Sequence, residues 1–145
     1  MYNGYYFLDW CYWLVICIVC NNWPSLDGLK MTVYVKESSN SVLSGLSKMK
    51  TAMIEDYNNF MPDNKSMCDE YAEKLTISYG KKYIKIFEEG GGVKAFVVGV
   101  ENDKKFKLGD ILMPAGWAAP ARNAARGNIL EGEYPINWTG ACYLK

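Results

Sequence analysis

The sequence predicts an α+β fold in which two N-terminal helices pack on a mainly antiparallel sheet. Three observations predict it. Apolar residues recur at helical spacing over residues 42–60, apolar and polar residues alternate over 82–88 and 93–100, and the helical stretches precede the strands. With 145 residues, half of them hydrophobic, the chain has enough apolar material for one domain with a substantial core.

The elements follow in order. Residues 31–36 alternate around Val33 and Val35, a short strand. The serines and asparagine of 37–41 are N-cap candidates for the first helix. In that helix Val42, Leu43, Leu46, Met49, Met53, Ile54 and Tyr57 share one side, and Lys48, Lys50, Glu55 and Asp56 lie largely elsewhere. Met61-Pro62-Asp63-Asn64 breaks the pattern. A second helix is expected over 66–77 with Met67, Tyr71 and Leu75, closed by Ser78-Tyr79-Gly80. The strands over 82–88 and 93–100 flank Gly90-Gly91-Gly92; that glycine run leads into a strand rather than a helix, so it is not a phosphate loop. A polar turn at 101–105, a strand over 108–113, and strands over 134–138 and 141–144 complete the sheet. Between them, residues 120–127 (PARNAARG) predict one or two helical turns. Proline suits the first position, alanine the interior and glycine the end.

Composition limits the chemistry. Sixteen basic and sixteen acidic residues cancel, so no whole-molecule field draws the protein to duplex nucleic acid or an anionic membrane. Any anion must be held locally. The chain has no histidine, which excludes Ser–His and Cys–His nucleophiles and most zinc sites. Cys17-Ile18-Val19-Cys20 lacks the second pair of a zinc ribbon and sits inside an apolar run, unlike a redox motif. Cys68 and Cys142 read as small buried hydrophobes. The expectation is a reduced, intracellular binder with no catalytic residue, metal or cofactor.

Residues 1–30 read as an apolar N-terminal extension to a single ligand-binding domain over 31–145. Their uninterrupted apolar part, 10–20, is shorter than the roughly 20 residues of a bilayer span. No basic residue precedes it, as a signal peptide requires. A dispensable extension before a start at Met31, an apolar element packed on the domain, and a membrane-surface segment are the readings it allows.

Binding chemistry concentrates in 109–128 (GDILMPAGWAAPARNAARGN). Arg122 and Arg126 are the only arginines; the other fourteen basic residues are lysines. Arginine offers a planar donor fork that grips phosphate, and four residues along a helix would place both forks on one face. Trp117 precedes the turn and Trp138 lies in Asn137-Trp138-Thr139-Gly140; an indole stacks on a base. Asn123, Asn128 and Asn137 are candidates for reading polar edges. The structural alternative pairs Arg122 with Asp110, has Arg126 cap carbonyls, and places both tryptophans in the core.

The string KFKLGDILMPAGWAAPARNAARGNILEGEYPINWTGA, with the strand–helix–helix–sheet order from Met31, resembles the first-described family of phage Thoeris anti-defence proteins. The resemblance rests mainly on the last seventy or so residues. It implies a sponge, active in the cytoplasm of an infected bacterial host, that sequesters cyclic ADP-ribose isomers without cleaving them. Some members also hold cyclic oligonucleotides. It further implies a homo-oligomer, dimeric or higher, with ligand pockets between protomers. The family's phosphate-gripping arginines carry over onto Arg122 and Arg126, and its stacking aromatic onto Phe96, Phe106, Trp117 or Trp138. The family has no counterpart to residues 1–30. The rival expectation is an interaction module that inhibits a host enzyme through an apolar face.

Overall fold

Helix α1 (Val42–Phe60) begins where Ser41, in extended conformation, accepts a hydrogen bond from the Ser44 amide, and it ends at Met61. Its buried face carries Gly45, Leu46, Met49, Ala52, Met53, Asp56 and Tyr57. The computed structural model describes residues 32–144. The expected extension over 1–30, with Cys11, Cys17 and Cys20, lies outside the described residues, as does Met31. Helix α2 (Lys65–Lys74) is capped by the Asn64 side chain. No helix among the described residues is long and apolar enough to cross a membrane.

The strands form two antiparallel sheets. One has the order β1-β6-β7, from Val33–Val35, Tyr134–Asn137 and Gly140–Ala141. The other has the order β2-β3-β4-β5, from Leu75–Tyr79, Tyr83–Glu88, Val93–Val98 and Ile111–Leu112. The α+β expectation holds, with the sheet divided in two. The main core joins the helices to both sheets through Leu46, Met49, Met53, Leu75, Ile86, Val97, Ile111 and Ile136. A smaller cluster of Phe96, Val98, Phe106 and Leu112 covers part of the opposite face of the four-stranded sheet. The alternation on β3 follows directly: Ile84 and Ile86 face the main core, and Tyr83, Lys85 and Phe87 face away.

The second helix is shorter than its apolar pattern. It stops at Lys74, the Leu75 amide closes on the Tyr71 carbonyl, and Leu75, Thr76 and Ile77 pair with β3 instead. Thr76 and Ile77 are β-branched and favour that outcome. Residues 120–127 are not helical. They border β5, with Ala121 N donating to Met113 O at 2.7 Å, Arg126 N to Ile111 O at 2.7 Å, and Ile111 N to Gly127 O at 2.8 Å, and residues 122–125 bulge out between these contacts with a bend at Asn123. Backbone groups that a helix would satisfy internally complete the sheet edge.

Two positions on α1 also depart from the wheel. Leu43 is exposed, and Asp56 is fully buried. Asp56 Oδ2 accepts from the Trp138 amide at 2.8 Å, tying α1 to the β6–β7 hairpin, while Oδ1 has no partner. Burial pushes its pKa above the ordinary 3.8, against the opposing effect of the Trp138 hydrogen bond. A raised folded-state value means that its contribution to stability is present at low pH and is lost as pH rises through that value. Asp56→Asn is therefore expected to flatten stability against pH above 4. Asp56→Ala, leaving the Trp138 amide unpaired, should cost about 1–3 kcal/mol. Urea unfolding at pH 4 and 7 checks both.

Candidate functional site

The outer face of the four-stranded sheet is open at its β2–β3 end. Across it leans a hairpin tip bracketed by the Pro114↔Pro120 bridge, with the Ala115 and Gly116 amides donating to the Ala119 carbonyl. The tip carries Trp117, 56% exposed. Its indole stands edge-on to Phe87 with centroids 5.3 Å apart. The Lys85 ammonium lies 4.1 Å from the indole centroid and 5.2 Å from that of Phe87. Ser78, Lys81, Lys82, Tyr83, Lys85 and Trp117 line a cleft of about 260 Å³ here. Among the described residues neither Lys81 nor Lys85 has a carboxylate partner, and Lys82 pairs with Asp103 at 2.8 Å. The cleft thus offers an exposed flat ring beside two uncompensated ammonium groups.

Arg122 borders this cleft as a fixed strut. Its guanidinium holds Asp103 through two bonds of 2.9 Å, reaches the Tyr83 hydroxyl, and lies 5.1 Å from the Phe106 centroid. Asp103 also accepts from the Lys105 and Phe106 amides at 2.8 and 3.0 Å. Its side chain has no exposed surface. Arg122 first and Lys82 second hold its carboxyl well below the ordinary 3.8. Arg122 pairs with Asp103 and not with Asp110, whose oxygens accept from the Lys107 amide and Asn128 Nδ2. A depressed folded-state pKa stabilises above the unfolded value and stops doing so as pH falls. Asp103→Asn should therefore lower the melting temperature at pH 7 and remove part of the wild-type loss below pH 4, read by thermal melts at pH 3 and 7.

Arg126 is not brought beside Arg122: the Arg122 guanidinium turns to Asp103 and Tyr83, and that of Arg126 to the Ala124 carbonyl. It is half-buried and donates to the Ala124 carbonyl at 3.0 Å, the carbonyl contact expected of its structural role. Its Nε is buried without a partner, and no carboxylate among the described residues pairs with it.

The remaining candidates separate by burial. Asn128 is 6% exposed, with Nδ2 donating to Leu108 O and Asp110 Oδ1 and Oδ1 accepting from the Leu130 and Glu131 amides. It staples its own turn, with every one of these bonds made inside the protein. Phe106 is buried in the smaller cluster under Arg122, and Phe96 is buried with it. Asn123 is exposed, its Oδ1 holding the Ala124 amide. Asn137 Oδ1 accepts from the Thr139 amide. Trp138 packs against the main core, 5.3 Å from the Tyr57 ring and 5.2 Å from that of Phe60. Trp117 is thus the predicted aromatic that meets free cations, and Trp138 belongs to the helix side.

The lysines of the cleft and Tyr83 were not among the sequence candidates. Their signal was present in KYIKIFE, where aromatic and lysine residues alternate on the face that the isoleucines do not use. A larger cleft of about 390 Å³ is lined by Asp110, Glu131 and Glu133, an environment that repels phosphate. No protein-family model, no curated protein and no solved structure matches the chain.

Proposed function

We propose that the protein binds a flat, phosphorylated small molecule of the cyclic-nucleotide class in the Trp117–Lys85 cleft and sequesters it unchanged. The observation that carries the reading is the exposed Trp117 indole beside Lys81 and Lys85, neither neutralised by a carboxylate among the described residues. A base stacks on the indole while the phosphates meet the ammonium groups. Lys85 already contacts the ring, so ligand phosphate drawn to it arrives in register with the stacking surface. Arg122 supports the floor through Asp103 and Tyr83 rather than gripping phosphate. Half-buried Arg126, without an ion-pair partner, is a separate anchor for an anion.

Two features favour holding over turnover. The chain has no histidine. Asp103, the carboxylate at the rim, is occupied by Arg122, Lys82 and two amides and is a poor base. The resemblance to the Thoeris anti-defence family points the same way and supplies the ligand class, cyclic ADP-ribose isomers and cyclic oligonucleotides. It also implies action in the cytoplasm of an infected bacterium, as an oligomer.

The test is incubation of the purified protein with a panel of cyclic ADP-ribose isomers and cyclic di- and trinucleotides. Free and heat-released ligand is then quantified by mass spectrometry. Depletion followed by release of unchanged mass is the expected result. A changed mass means an enzyme, and no depletion directs the search to a protein partner.

A further inference from the structure

Tyr83 stands on β3 opposite Val98, half-buried, and lines the cleft with Trp117. Its ring is edge-on to Phe96, with centroids 6.3 Å apart, and its centroid lies 5.6 Å from the Lys82 ammonium. A phenol carries one proton and also accepts. Arg122 Nη1 donates to the Tyr83 oxygen, and a guanidinium has no acceptor to offer in return. The Tyr83 proton must therefore go elsewhere. The neighbouring carboxylate is already taken. Asp103 Oδ1 accepts from Arg122 Nη2 and the Lys105 and Phe106 amides, and Oδ2 from Arg122 Nη1 and Lys82. No group among the described residues accepts the Tyr83 proton.

The same contacts fix where the hydroxyl sits. Asp103 holds the Arg122 fork with two bonds of 2.9 Å, and its own side chain has no exposed surface. Tyr83 is thus a donor with a set position and a set polarity. The other polar groups of the cleft are not aimed in this way. Lys81 and Lys85 are point charges on flexible stems, and nothing among the described residues orients the Ser78 hydroxyl.

We infer, on the reading of the Trp117–Lys85 cleft as the ligand site, that Tyr83 determines its specificity by donating to one non-bridging phosphate oxygen. Arg122 and Asp103 are the positioning residues that aim it. The ammonium groups of Lys81 and Lys85 draw the most negative part of the ligand, which is phosphate rather than a base carbonyl. They follow phosphate wherever it lies within their reach. A fixed hydroxyl instead tells one oxygen of a phosphate from the other. Polarisation along Asp103, Arg122 and Tyr83 strengthens the last bond of the chain.

The probes are cyclic ADP-ribose and its phosphorothioate analogues, each with sulfur, a poor acceptor, in place of one non-bridging oxygen. Titration calorimetry should show the wild type losing about tenfold in affinity for one analogue relative to the rest, the scale of a hydrogen bond to a charged group. Tyr83→Phe keeps the ring against Phe96 and both Arg122–Asp103 bonds. It should bind cyclic ADP-ribose about tenfold more weakly and treat the analogues alike. Arg122→Lys keeps a charge beside Asp103, loses the fork, and should blunt the preference among analogues. With Trp117→Ala weakened as expected, a Tyr83→Phe protein that matches the wild type in affinity or in preference overturns the inference and leaves the cleft as the site. A wild type indifferent to the position of sulfur does the same. A wild type that binds no cyclic ADP-ribose, or a Trp117→Ala protein that binds it as tightly as wild type, removes the cleft reading and the inference together.

Discussion

Gly140→Ala is expected to cost about 3–5 kcal/mol, which places it in the range reserved for severe backbone or core damage. Two effects add. Gly140 has φ of 117°, a conformation that residues with a side chain rarely adopt. Its α-carbon also faces β4 so closely that a methyl would overlap the Lys94 carbonyl oxygen and lie 2.6 Å from the carbonyl carbon. The obstacle is backbone, so no rotamer change relieves it, and β7 must lift away from β4. For a chain of this size the melting temperature should fall by about 10–15 °C. Gly92→Ala is the control. It has open space around it, no positive φ, and an expected effect within about 0.5 kcal/mol. Equal losses at both positions would show that β7 does not press on β4 as described.

The second large effect concerns binding. Trp117→Ala is expected to weaken the ligand by about 5–150-fold, the equivalent of 1–3 kcal/mol of stacking. Its melting temperature should barely move, because the indole is more than half exposed. Lys85→Ala should also weaken binding and reduce its dependence on salt, as loss of an ammonium–phosphate contact requires. Trp138→Ala should do the reverse. It opens the cluster of Tyr57, Phe60 and Tyr71, lowering stability by up to about 3 kcal/mol while leaving affinity in place. Calorimetric titration with cyclic ADP-ribose, beside thermal melts of the same variants, separates the two roles. A Trp117→Ala protein that binds as tightly as wild type would move the site away from this cleft.

How legible these features were in the sequence depended on whether local pattern and tertiary pairing agreed. In α1 and in β3–β4 they agree: the helical period puts Leu46, Met49 and Met53 inside, and the period of two puts Ile84 and Ile86 inside. At residues 75–77 they diverge. Leu75 and Ile77 extend the apolar pattern of α2, and no glycine or proline intervenes, yet β-branching and the partner strand β3 win. At 120–127 the proline, alanines and glycine favour a helix locally, but the unpaired edge of β5 takes the backbone. The expectation that Arg122 and Arg126 project from one helical face depended on that helix, and the two side chains turn to different partners instead. Asp103, 19 residues before Arg122, has no local mark identifying it as the partner of that arginine. Trp117 was legible because a tryptophan between glycine, alanine and proline has little local apolar company. Lys85 was hidden by being an ordinary polar residue in an alternating strand.

The pairing of β1 with β6 aligns Val33 with Ile136 and Val35 with Tyr134, so it closes a loop of about a hundred residues. This has a consequence in time. During synthesis, β1 leaves the ribosome long before its neighbour exists, while α1, α2 and β2–β4 can already assemble from nearby contacts. The three-stranded sheet must wait until residue 141 has emerged, and at ribosomal speeds of about 5–20 residues per second that interval lasts many seconds. Until then the valines of β1 and the underside of α1 lack their cover. Closure of that sheet is the late step, and the nascent chain is most open to proteases and chaperones just before it.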